Sequence, residues 1–125
     1  MMQTVLIVED SDNLAPLEIA LGAMQGINVL MLGNGRDAIN LLRANSIRLA
    51  AVITDLNLPY VDGFELIKTI RADERYSRLP ILVVSGDSCP ETPERLRLLG
   101  ADAFFPKPYS PAEIRQKLKG LIDGS

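Results

Sequence analysis

The chain of 125 residues contains no histidine and no tryptophan, a single cysteine, and only three phenylalanines and three tyrosines. Without histidine there can be no Ser-His-Asp or Cys-His catalysis, no imidazole metal ligand and no histidine pH switch. Whatever chemistry occurs must use carboxylates, hydroxyls, lysine or the backbone. A lone cysteine, Cys89, cannot form an intrachain disulfide, which points to a reducing compartment. No apolar run is long enough to span a membrane, and the opening "MMQTVLIVED" has no basic leader and reaches acids too early for a signal peptide. The expected location is the cytoplasm, with no membrane partner. There is no large excess of either charge: the net charge is −3, the pI is near 4.9, and the basic residues are scattered, so direct nucleic-acid binding is not expected.

What is present is a regular alternation. Apolar residues make up 47% of the chain, enough for the core of one domain, and no repeat, low-complexity tract or linker divides it. One domain over residues 1–125 is expected. Four apolar runs read as buried strands: "TVLIV" at 4–8, "INVLML" at 27–32, "LAAVIT" at 49–54 and "PILVVS" at 80–85, with "DAFF" at 102–105 a weaker fifth. They lack strict alternation, as strands buried on both faces do. Between them lie helical stripes: Leu14, Leu17, Leu21 and Met24; Ala38, Leu41 and Leu42; Phe64, Ile67 and Ile70; Leu96 and Leu99. Ser110, Pro111 and Glu113 have the spacing of a capping box ahead of Ile114, Leu118, Leu121 and Ile122. Pro16 fits the first turn of the first helix if Asp12 is its N-cap.

Strand then helix, five times over, requires right-handed crossovers and an α/β fold: a doubly wound five-stranded parallel sheet with five helices in a three-layer sandwich. In such sheets ligands bind beyond the carboxyl ends of the strands. Those ends carry Glu9 and Asp10 after the first strand, Asp55 after the third, Ser85 after the fourth and Lys107 after the fifth. Singly, each has an ordinary explanation as a helix cap, a turn hydroxyl or a solvated charge. Together they describe a cleft in which acids repel one another unless a cation is present. Mg²⁺ suits such a cleft, because it keeps several waters and takes one or two carboxylates together with phosphate oxygens. Phosphoryl transfer, with one acid as the nucleophile, is the chemistry this set supports.

The stretches "VLIVEDSD", "VITDLNLPYVDGFELI", "PILVVSGD" and "GADAFFPKP", in this order and at these intervals, resemble the receiver domain of two-component response regulators from Val5 to about Ile122. The resemblance implies a flavodoxin-like strand order of 2-1-3-4-5. It implies Asp55 as the phospho-acceptor, Mg²⁺ held by Glu9, Asp10, Asp55 and the Asn57 carbonyl, and Lys107 as the cation that pairs with acids and then with the phosphoryl group. Ser85 falls at the hydroxyl switch with Gly86 behind it, Phe104 at the aromatic switch, and Lys107-Pro108 at a bond that is typically cis. Two positions depart from the pattern. Phe104 stands where tyrosine is common and has no hydroxyl to bond with, and Glu9 stands in place of aspartate. Asp87 and Asn57 are expected at the mouth of the site, where they would set the rate of aspartyl-phosphate hydrolysis.

The function so implied is a phosphorylation-controlled switch, fed by a sensor histidine kinase or phosphotransfer protein because this chain has no histidine of its own. It would act on a downstream protein or its own dimer through residues 93–121, where Arg95, Arg97, Arg115, Lys117 and Lys119 are interspersed with Glu94, Asp102 and Glu113, and Glu91 just precedes them. Two alternatives share the fold: a docking module indifferent to phosphorylation, and a flavodoxin-like ligand-binding domain. The second is weakened by the lack of a GxGxxG or GxxxxGK[ST] loop, since "LGNGRDA" reads better as a turn before a helix.

Overall fold

The computed structural model describes residues 2–123, so both ends of the expected 1–125 domain lie outside the described residues. Its elements alternate: β1 (Gln3–Val8), α1 (Ala15–Gly22), β2 (Ile27–Leu32), α2 (Gly35–Ala44), β3 (Leu49–Thr54), α3 (Gly63–Ala72), β4 (Ile81–Ser85), α4 (Thr92–Leu99), β5 (Ala103–Pro106) and α5 (Pro111–Asp123). Every strand pairing is parallel and the order is β2-β1-β3-β4-β5. The doubly wound, flavodoxin-like sandwich read from the sequence is the fold observed.

Strand residues alternate between two apolar layers, which is why the strand runs lack polar interruptions. Leu6, Val8, Val52, Ile81 and Val83 face α2, α3 and α4, meeting Ala38, Leu42, Leu66, Ile67, Ile70 and Leu96. Val5, Ile7, Ile53, Leu82 and Val84 face α1 and α5, meeting Leu17, Leu21, Ile114 and Leu118. The two phenylalanines of β5 divide between these layers, Phe104 against the first and Phe105 against the second, and both are half-buried.

The helix starts show where local chemistry sets the boundaries. Asn34 caps α2 by accepting from the Asp37 N–H at 2.8 Å, and Asp62 caps α3 by accepting from the Glu65 N–H at 2.9 Å. Ser110 accepts from the Glu113 N–H at 3.3 Å ahead of α5. The expected Asp12 cap is corrected. Ser11 accepts from the Asn13 N–H and opens a short 3₁₀ turn, Asp12–Leu14, from which α1 continues with Pro16 in its first turn. Ser11 can do this because its backbone is extended, whereas Asp12 is already part of the turn. Leu14 and Met24 therefore flank α1, yet both still pack in its layer.

Gly63 is fixed by close approach. A Cβ there would lie 2.5 Å from the Asp55 carbonyl oxygen and 2.7 Å from the Leu56 Cα, because α3 begins directly against the chain leaving β3. Gly63→Ala is expected to destabilise the fold by about 1–3 kcal/mol, as overpacking against unyielding backbone does. Urea unfolding checks this, and a variant as stable as wild type would contradict it.

Candidate functional site

The sheet register builds the site. Val8 of β1 pairs with Thr54 of β3, so Glu9 and Asp55 emerge side by side at the point where strand order reverses. Backbone bonds continue the ladder past the strands: Asp55 N–H donates to Val8 C=O at 3.1 Å, Glu9 N–H to Leu32 C=O at 2.9 Å, and Lys107 N–H to Ser85 C=O at 2.9 Å. The last bond brings Lys107 up beside the end of β4. The Lys107-Pro108 peptide is cis.

Three side chains meet here. The Lys107 ammonium lies 2.6 Å from Asp55 Oδ2 and 3.4 Å from Glu9 Oε2. The two carboxylates are buried, with side chains 6% and 1% exposed. Asp55 Oδ1 accepts from the Leu56 N–H at 2.6 Å and the Asn57 N–H at 3.2 Å. One oxygen is thereby pinned by backbone, and the other faces the ammonium. Glu9 Oε1 accepts from the Asp10 N–H at 2.9 Å and the Ser11 hydroxyl at 3.2 Å. Asp10 and Asn57 are exposed at the rim of these acids.

The electrostatics follow from that geometry. Burial pushes the Glu9 carboxyl up, its contacts with Asp55 and Asp10 push it further, and it reaches about 7 despite Lys107. Burial also acts upward on Asp55, but hydrogen bonds from Lys107, Glu9 and the Asn57 backbone outweigh it and hold the group below the usual carboxylate range. Lys107 is held above its ordinary value: burial opposes the shift, and its bonds to Asp55 and Glu9 overcome it. Asp55 is thus the ionised member of the pair, and Glu9 the one that holds a proton near neutrality.

Ser85 is fully buried at the end of β4, and its hydroxyl accepts from the Asp87 N–H at 3.1 Å. Gly86 is exposed, with open space where a Cβ would sit, so no protein neighbour demands a glycine there. Asp87, expected beside Asn57, has its carboxylate bonded within its own loop, accepting from the Cys89 N–H at 2.8 Å and the Thr92 hydroxyl at 3.1 Å. Thr92 opens α4 without a side-chain cap, so Asp87 ties that helix start to Ser85. Phe104 pairs in register with Val83 and lies three residues before Lys107. The proposed readout face is also partly rearranged. Arg97 pairs with Glu94, Arg95 stacks 3.9 Å from the Phe64 ring, and Asp102 is drawn away to Arg71 and the Ile81 N–H.

Among the described residues, no three Asp, Glu, Cys or His side chains converge into a metal-binding cluster. The positive charge in the cleft is an ammonium. The donors nonetheless fit a hard divalent ion: they are oxygens, Glu9 is raised first by burial and then by its acidic neighbours Asp55 and Asp10, and an ion that keeps most of its waters needs one or two carboxylates only.

Fold and site together define a class: a doubly wound α/β domain with a carboxylate pair and a lysine at its switch point. The sequence profile of the response regulator receiver domain matches residues 5–119, and the chain belongs to that family. It is 35% identical to the chemotaxis protein CheV2 of Helicobacter pylori over 121 residues, 94% of this chain but 38% of that relative, so it spans under two-fifths of the relative's length. It superimposes on the chemotaxis response regulator CheY4 of Vibrio cholerae with a TM-score of 0.81 and 29% identity, covering 97% of this chain and 99% of that one. It also matches the receiver domain of a sensor histidine kinase from Pseudomonas aeruginosa, at 0.84 and 29% over 100% of both chains; that structure holds a magnesium ion in its active-site cleft. Family membership places the chain in two-component signalling and removes support from the flavodoxin-like ligand-binding alternative.

The raised carboxyl makes stability depend on pH. Glu9 stabilises the fold while protonated, so its contribution is complete below the ordinary carboxyl value and is lost as pH rises through about 7. Asp55 acts oppositely, and its contribution fades only on acidification below its ordinary value. With no histidine in the chain, the near-neutral window reports on Glu9. Thermal unfolding of metal-free protein is expected to show a melting temperature that falls from about pH 5 to about pH 8, and Glu9→Gln is expected to flatten that slope. An equally steep decline in the variant would contradict the assignment.

Proposed function

We propose that this chain is a single receiver domain whose phosphorylation on Asp55 switches its affinity for a protein partner. The observation that carries the reading is the Lys107 ammonium 2.6 Å from Asp55 Oδ2, beside a second buried acid. Asp55 is the nucleophile: it is ionised, rigidly oriented by two backbone N–H groups, and open to the cleft through one oxygen. A carboxylate oxygen attacks the phosphorus of a phosphohistidine on a sensor histidine kinase or phosphotransfer protein, the P–N bond breaks, and the imidazole leaves with its electron pair.

Glu9, Asp10, Asp55 and the Asn57 carbonyl are the groups that would hold Mg²⁺, which when bound neutralises charge on the phosphoryl oxygens. Lys107 then exchanges its carboxylate for a phosphoryl oxygen, and Ser85 can donate its hydroxyl to another. Gly86 leaves the approach to Ser85 open, and Phe104 occupies the neighbouring strand without a hydroxyl of its own. The added charge biases two states of the domain, read through α4, β5 and α5 across residues 93–121 by a target protein or a second copy. No helix among the described residues is long and apolar enough to cross a membrane, and the reading places this exchange in the cytoplasm.

Incubation with acetyl phosphate and Mg²⁺, followed by intact-mass spectrometry, tests this. Wild type is expected to gain one phosphoryl group and Asp55→Asn none. Lys107→Ala is expected to remain folded and to accept the group more slowly, on the order of tenfold or more. A wild-type chain that gains no mass would favour the docking module indifferent to phosphorylation.

A further inference from the structure

Residues 56–62 carry the chain from Asp55 to α3, and their two ends are fixed. Leu56 and Asn57 donate to Asp55 Oδ1, and the Gly63 N–H donates to the Leu56 C=O at 2.8 Å. At the middle stands Tyr60 with φ +70°, and the Val61 N–H donates to the Pro59 C=O at 2.8 Å, closing a three-residue turn around it. A γ-turn with positive φ is rare and strained, and for a bulky side chain it is an outlier. Burial does not account for it, because Tyr60 is 73% exposed.

What Tyr60 meets is the start of α2. The Arg36 guanidinium lies 4.1 Å from the ring centroid, in cation–π geometry. Beside it, a Cβ on Gly35 would collide with the Val61 carbonyl oxygen, so the first turn of α2 lies directly against the loop. Two successive residues of α2 thus grip two successive residues of the loop. The gripping end is itself held: Asn34 accepts from the Asp37 N–H and donates to Asp37 Oδ2 at 3.0 Å. The second glycine of "LGNGRDA", Gly35, therefore has a use beyond the turn.

We propose that Arg36 and Tyr60 form a clamp that positions the acceptor loop, so that Asp55 and the Asn57 carbonyl are preorganised for ion binding and phosphoryl transfer. Strained backbone persists only where its surroundings over-determine it, and such strain collects where geometry matters to function. Glycine at position 60 would adopt the same turn freely. Tyrosine adds a ring that Arg36 engages, and the clamp that results removes freedom from a loop whose first residues orient the nucleophile. These are positioning residues, and their role in transfer rests on the function proposed above.

Wild type, Arg36→Ala, Tyr60→Gly and Tyr60→Phe separate the possibilities. Three quantities are read: amide exchange across residues 56–62 in metal-free protein, Mg²⁺ affinity by calorimetry, and the rate of phosphorylation by acetyl phosphate. Arg36→Ala and Tyr60→Gly are expected to speed loop exchange, to weaken Mg²⁺ binding about fivefold and to slow phosphorylation about tenfold, with little change in melting temperature. Tyr60→Phe keeps the ring and is expected to match wild type in all three. Wild-type exchange and Mg²⁺ affinity in Tyr60→Gly would overturn the clamp, as would losses that merely track a lowered melting temperature. Should wild type itself take up neither Mg²⁺ nor phosphoryl, the proposed function fails and exchange alone decides: a loop in Arg36→Ala as protected as in wild type overturns the clamp, and a faster one supports it.

Discussion

One ammonium shared between two buried carboxylates is the contact on which the site depends. Lys107 reaches Asp55 and Glu9 from the far side of β4, and each of the three groups is tolerable there only because of the others. An unpaired buried carboxylate would neutralise itself by shifting its pKa, and an unpaired buried ammonium would do the same in the opposite direction. The cleft settles these demands unequally. Asp55 takes the closer bond and stays ionised, while Glu9, also buried but farther from the cation, is raised to about 7.

That contact is made possible by backbone rather than by the side chains themselves. The β1–β3 register sets Glu9 beside Asp55, and the ladder bond from Lys107 to Ser85 lifts the lysine to the same edge. The chain beyond β3 then doubles back so closely that only glycine fits at position 63. Each of these constraints comes from a strand buried on both faces, whose position is over-determined by two apolar layers. Mobile loops could supply the same residue types but not the same precision.

The layers were legible in the sequence for the same reason. Strands that bury both faces have to be apolar throughout, so four of five stood out as unbroken runs, and β5 was faint because its residues are only half-buried. The convergence of Glu9, Asp55 and Lys107 could also be read, since the fold class fixes which strand ends share an edge. What escaped were choices made over short or very long distances. Ser11 rather than Asp12 begins the first turn, a difference of one position decided by backbone angle. The partners of the Asp87 carboxylate, the Cys89 N–H and the Thr92 hydroxyl, lie within its own loop and the start of α4. Asp102 looked like part of a charged surface, but it pairs with Arg71, 31 residues away, and caps the Ile81 N–H. Nothing in local spacing announces such a partner.

Charge arithmetic explains why this arrangement suits a switch better than a permanent complex. Two carboxylates face one ammonium, and Glu9, raised first by burial and then by its acidic neighbours, retains its proton near neutrality. A phosphoryl group on Asp55 would remove that residue's own charge and add about 1.5 to 2 negative charges close by, leaving more negative charge to be met. The lysine alone cannot meet it. A divalent cation, the lysine and a hydroxyl donor together can, and Ser85 is the hydroxyl at the adjoining strand end, at present receiving a bond from the Asp87 N–H. A hydroxyl that donates to the phosphoryl group keeps lone pairs for that N–H, so one oxygen connects the phosphoryl site to the segment leading to α4, where Asp87 also accepts from the Thr92 hydroxyl. An electrostatic demand at the sheet edge is in this way linked through one hydroxyl to the anchoring of a helix start that has no cap of its own.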